Sequence, residues 1–120
     1  MFASPIVTRG KKNNLLHSPP ISYKDEVDLI KVEARLSKKA IVFRQEVAKL
    51  NTFDSMLALE PKILHISCHG FRKPEEALLF EKPGGEGFRV KKEDLTTVIQ
   101  KKADDIDLVY LAACTSEFLG

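Results

Sequence analysis

Two short apolar runs restrict the fold of this 120-residue chain more than any other feature. Lys62 to Ser67 reads KILHIS and Asp107 to Ala113 reads DLVYLAA, and in both the apolar residues follow one another with little interruption. A strand with one wet face alternates polar and apolar residues, whereas a strand covered on both faces has no reason to alternate. Both runs are therefore expected as interior strands of a layered sheet.

Around them the periodicity turns helical. Val27, Ile30, Val32 and Leu36 recur at helical spacing, with Ser22 as the expected N-cap, Asp25 and Glu26 at the positive end of the helix dipole, and Lys38 and Lys39 at the other end. Ala40 to Phe43 is β-branched and aromatic and predicts a strand, and Thr52 to Leu59 a short second helix opened by a capping residue. Ala77 to Phe80 and Gly87 to Val90 flank EKPGGE, whose Pro83, Gly84 and Gly85 can reverse the chain, so a hairpin is expected there. Lys92 to Lys101 sets Leu95, Val98 and Ile99 on one helical face. Thr8 to Pro20 is rich in turn residues and reads as a connecting loop, so residues 1–20 form a strand and loop lead-in. Over residues 21–120 helices and strands alternate, which predicts an α/β domain with a mainly parallel sheet and right-handed crossovers.

Composition narrows the function. A chain of this length, 43% hydrophobic, can bury one modest core, so residues 1–120 are read as a single domain. Nineteen basic and 17 acidic residues nearly cancel, and a net charge of +2 argues for neither nucleic acid nor a membrane surface as partner. No window approaches the roughly 20 apolar residues needed to cross a bilayer, and the N-terminus lacks the apolar stretch of a signal peptide. Cys68 and Cys114 are too few for a disulfide framework. A reducing, cytoplasmic setting is expected.

Chemistry is expected where the strands end, because side chains there leave the packed interior. His69 follows the first run, and Cys114 follows the second 45 residues later. A helix and a hairpin fill the interval, enough to return the second strand parallel and near the first. A thiol with an ordinary pKa of ~8.5 is mostly protonated at neutral pH and needs a base beside it, and an imidazole near ~6.5 can hold the proton and later give it to a leaving amine. Backbone N–H groups of Gly70 and Cys114 are candidates for the oxyanion that forms on attack, worth roughly 3 to 4 kcal/mol per donor. Gly70, lacking a Cβ, lets the backbone approach a substrate closely.

The segments ILHISCHG, ALLFEKPGGEGFRV, KKEDL and LVYLAACTS resemble, in order and spacing, successive blocks of the CHAT family, relatives of caspases and separases. In that family one hydrophobic strand ends in His-Gly and a later one in a small residue followed by Cys. The resemblance implies a caspase-like three-layer sandwich. It also implies a peptidase whose catalytic dyad is His69 and Cys114, with the amides of Gly70 and Cys114 as oxyanion hole and a peptide or protein as substrate. No cofactor and no metal is implied. Ala112 stands two residues before Cys114, where caspases have Gln and many metacaspases Asp, so no preference for the residue before the cut carries over. The chain ends six residues after Cys114, which predicts a domain incomplete at its C-terminus.

Simpler readings apply to several neighbours. Cys68 is expected to be structural, because successive strand residues face opposite ways. His65 and His69 share an HxxxH spacing, but along a strand they stand about 13 Å apart at roughly 3.3 Å per residue, too far for one metal. His65 is read as a hydrogen-bonded core histidine and His17 as a solvated loop residue. No GxSxG elbow accompanies Ser67, Thr115 or Ser116, and Gly84, Gly85 and Gly87 lack the partners of a phosphate loop. Glu117 is read as a surface carboxylate. The competing function is a catalytically inactive, peptidase-like interaction module or fragment, offering a protein partner its exposed sheet edge.

Overall fold

Each apolar run becomes a strand, and the turn residues fall between elements. A computed structural model describes residues 7–9, 15–17, 21–72, 75–102 and 104–115, with residues 7–9, 15–17, 102, 114 and 115 described as backbone. In chain order the elements are β1 (Val7–Arg9), β2 (Leu15–His17), α1 (Tyr23–Leu36), α2 (Leu50–Leu57), β3 (Ile63–Phe71), β4 (Ala77–Glu81), β5 (Glu86–Lys91), α3 (Lys92–Lys102) and β6 (Leu108–Thr115). The strands form one sheet in the order β2-β1-β5-β4-β3-β6. This is an α/β domain with a mixed sheet.

The expected mainly parallel sheet is corrected here. β3 runs parallel to β6, and β1 to β5, but β1 with β2, β3 with β4 and β4 with β5 are antiparallel. For β4 with β5 the cause is the hairpin: Gly84 at φ 96° and Gly85 at φ 81° turn the chain back, and β5 returns beside β4, which lies between β3 and β5. Lys82 N–H donates to the Glu86 carbonyl at 2.7 Å and Gly85 N–H to the Lys82 carbonyl at 3.0 Å, closing that turn.

Two further expectations change. Ala40 to Phe43 is not a strand, and Val42 is 94% exposed. β-branched residues favour extended backbone, but a strand also needs a neighbour to bond with, and this segment has none among the described residues. Thr8 to Pro20 is not all loop, since Leu15–His17 pairs antiparallel with Val7–Arg9, bringing His17 opposite Val7. At the helices, Ser22 precedes α1 as expected, yet its Oγ faces Asp25 Oδ2 at 3.3 Å rather than a backbone N–H. α2 starts at Leu50 instead of Thr52, and Thr52 acts from inside the helix, its Oγ1 accepting the Lys49 N–H at 3.0 Å.

The pleat divides the sheet into two faces. Leu64, Ile66 and Cys68 of β3, with Leu78 and Phe80 of β4 and Val90 of β5, pack against Phe53, Met56 and Leu57 of α2 and Leu95 of α3. Phe53 and Phe80 meet edge to face with centroids 5.8 Å apart, and each fully buried phenyl group contributes about 1.5 to 3 kcal/mol. The opposite face carries His65, Ser67, His69 and Phe71, and there α1 approaches, with Glu26 Oε1 3.0 Å from His65 Nε2. No helix of the described residues is long and apolar enough to cross a membrane.

Candidate active site

β3 and β6 pair in parallel without a break from Ile63 opposite Leu108 to Gly70 opposite Thr115. Paired residues of a parallel ladder share a face of the sheet, on strands about 4.8 Å apart. The side chains show this directly near the middle, where the rings of register partners His65 and Tyr110 lie with centroids 5.0 Å apart and planes inclined by 31°. Four residues further along both strands the same register sets His69 opposite Cys114. Four is an even step, so the face is the same.

His69 is 8% exposed and Ser67 4%, so the imidazole sits in a largely dry part of the sheet near the carboxyl end of β3. Gly70 follows on the opposite face, opposite Thr115. The structure describes Cys114 and Thr115 as backbone positions, while Ser116 and Glu117 lie outside the described residues. Among the described residues no three His, Cys, Asp or Glu side chains gather as a metal site.

Cys68 neighbours His69 in sequence but belongs to the other face, 1% exposed in the core under α2 and α3. Burial pushes its thiol up to about 12, with the Leu79 backbone N–H offsetting part of that rise. A thiol held so high stays protonated at neutral pH and is a poor nucleophile. His65 packs on Tyr110 and has Glu26 Oε1 3.0 Å from its Nε2, joining α1 to the strand that carries His69.

The segment after Gly70 is tied down by two ion pairs. Lys91 Nζ is 2.9 Å from Glu75 Oε2 and Lys92 Nζ 2.5 Å from Glu76 Oε2, while Lys92 N–H donates to the Glu76 carbonyl at 3.1 Å. Hydrogen bonding and charge in these pairs hold the Glu76 carboxyl below its usual range and both lysines above theirs.

Two aspects of this region escape a reading of the sequence. Arg89 of β5 places its guanidinium carbon 4.3 Å from the centroid of the Phe71 ring, reaching across β4 to the strand of His69. Tyr110 is the ring beside His65. Counting back from the two glycines would have put Arg89 on one face with Leu79, its register partner. Nothing in the sequence says that β4 lies beside β3, and without that neighbour Arg89 has no relation to Phe71.

A family model described as the CHAT domain matches residues 8–118. No curated protein and no solved structure matches the chain significantly.

Proposed function

The chain belongs to the CHAT domain family, and from that membership we propose that it is a cysteine-type peptidase that hydrolyses peptide bonds by a Cys114 and His69 dyad, within a caspase-like three-layer sandwich. The observation that supports the reading most is the pairing of β3 with β6, in which His69 and Cys114 are register partners.

In the proposed reaction the Cys114 thiol passes its proton to His69, and the Sγ thiolate attacks the substrate carbonyl carbon. The carbonyl oxygen becomes an oxyanion, met by the N–H groups of Gly70 and Cys114. As the C–N bond breaks, the His69 imidazolium gives its proton to the leaving amine, and the acyl group stays on Sγ as a thioester. Water then attacks the thioester while His69 takes a proton from it, and that proton returns to sulfur as the acid departs. The sum is one peptide bond and one water converted to one acid and one amine. No cofactor enters the scheme, and its thiol chemistry suits a reducing, cytoplasmic compartment.

A second reading follows from a different observation. β6 is the last strand in the sheet order, and Leu108, Tyr110 and Leu111 on it are each about half exposed. Such an edge can accept a protein partner, and the chain would then serve as a non-catalytic interaction module. An acyloxymethyl ketone peptide probe separates the two. Labelling of the wild-type chain that vanishes in Cys114→Ala supports the peptidase; unlabelled wild type, or labelling that persists in Cys114→Ala, removes it and leaves the module.

A further inference from the structure

We propose that the open edge of β6 pairs antiparallel with β6 of a second copy of this chain, about a two-fold axis at Leu111. The inference names an occupant for the edge on which the second reading rests, and it is independent of the peptidase chemistry.

The edge lacks the usual protections. Leu108 to Thr115 holds no charged residue and no proline, two devices by which exposed edges repel a further strand. β6 is eight residues long, whereas β2 at the other end of the sheet has three. Side chains are exposed on both of its faces, Leu108 and Tyr110 on the face of His65, Leu111 and Ala113 on the other. Between those faces runs a row of backbone groups with no neighbouring strand among the described residues. Another strand satisfies such a row, whereas a helix has spent its own backbone groups internally.

The backbone decides which residues pair. Leu108 N–H donates to the Lys62 carbonyl at 3.2 Å, so the even-numbered residues of β6 turn their backbone groups toward β3. Alternation along the ladder turns those of Val109, Leu111 and Ala113 toward the open edge. Residues directly opposite in a continuous sheet share a face, so odd-numbered residues meet odd-numbered ones. With the axis at Leu111, that residue meets its own copy, Val109 meets Ala113 of the second copy, and Tyr110 meets Ala112 of the second copy. Off the axis each larger side chain is thus set against a small one. About six backbone hydrogen bonds close the pair.

Charge selects the direction and the partner. Asp104, Asp105 and Asp107 lead into β6. Antiparallel pairing puts the two acidic ends at opposite ends of the joined strands, whereas parallel pairing would set Asp107 beside its own copy. A foreign strand finds no charge on β6 by which to be recognised, and any charge of its own would be left unmatched. A second β6 brings the same uncharged surface.

The experiment is sedimentation equilibrium of the whole chain from about 1 to 500 μM, because one strand a side is below the roughly 20 to 30 residues of a standard interface and implies a micromolar dimer. Wild type should pass from monomer to dimer across that range. Leu111→Lys and Leu111→Glu should each weaken association at least about tenfold, since the axis sets like charges against each other, and an equimolar mixture of the two should pair again. Leu111→Pro, which removes an outward N–H, should abolish dimers while lowering the melting temperature less than Ala112→Pro, which removes an N–H directed at β3. A chain that stays monomeric throughout, or dimers unaffected by the Leu111 variants, overturns the proposal. Dimers lost in both charged variants and not regained on mixing overturn the axis at Leu111, and assembly beyond dimers overturns the closed pair. The peptidase and the module are judged separately, by acyloxymethyl ketone labelling, so either can fail without the other result changing.

Discussion

His69 and Cys114 are register partners on adjacent parallel strands, 45 residues apart in the chain and one strand spacing apart in the sheet. Everything proposed for the chemistry of this chain depends on that pairing.

If the imidazole moves the proton, His69→Asn should lower kcat/KM by about 10²- to 10⁴-fold while leaving the fold intact, the ordinary contribution of a positioned acid-base group. Steady-state kinetics beside a circular dichroism melt checks this. Equal losses in activity and melting temperature would assign His69 a structural role instead.

Cys68 makes an opposite prediction about pH. Its folded-state pKa is raised to about 12 from an ordinary 9.0. The stability tied to the protonated thiol is fully present below pH 9.0 and is lost as pH rises toward 12, on the order of a few kcal/mol across that window. Urea unfolding at stepped pH should show the wild-type midpoint falling faster above pH 9.0 than that of Cys68→Ala. At pH 8 a small thiol reagent should spare Cys68 in the folded chain and modify it in urea.

The hairpin turn supplies a test of backbone conformation. Gly84 sits at φ 96° with nothing within 4 Å of where a Cβ would be, so Gly84→Ala meets strain without a clash. The expected loss is about 1 to 2 kcal/mol by chemical denaturation. A neutral result would show that the turn relaxes.

How much of this was legible in the sequence depends on how far apart the interacting residues lie. KILHIS and DLVYLAA signal strands through their own composition, but only the first is interior: β6 lies at the edge of the sheet with Leu108, Tyr110 and Leu111 about half exposed, because an apolar run does not say whether a further strand or helix covers it. The glycine pair signals the hairpin, now observed as Ala77–Glu81 and Glu86–Lys91. Ala40 to Phe43 misleads for the same reason those succeed, because β-branched residues report a preference for extension and say nothing of whether a partner strand exists. His69 and Cys114 could be named from strand ends and family pattern, whereas their register required knowing which strands are neighbours. The contact of Arg89 with Phe71 was invisible, since it passes across β4, whose placement between β3 and β5 is a property of the assembled sheet.

The core offers a last check. Phe53 of α2 and Phe80 of β4 are 2% and 0% exposed and pack edge to face. Phe80→Ala should cost about 3 to 5 kcal/mol, enough to unfold a domain of this size at moderate urea. Phe80→Leu should recover most of it. A loss near zero for Phe80→Ala would mean that α2 does not close this face in solution.

The parallel joining of β3 to β6 also has a temporal consequence. A ribosome that has released residues up to about 105 has made the His69 imidazole and the whole hairpin, yet not Cys114, the thiol proposed to attack. The hairpin and α3 lie between β3 and β6 in the chain, so the pairing of these two strands closes over them. Under the proposed reading, a copy in which β3 and β6 have not yet joined lacks the His69–Cys114 pairing, and hydrolysis waits on that docking.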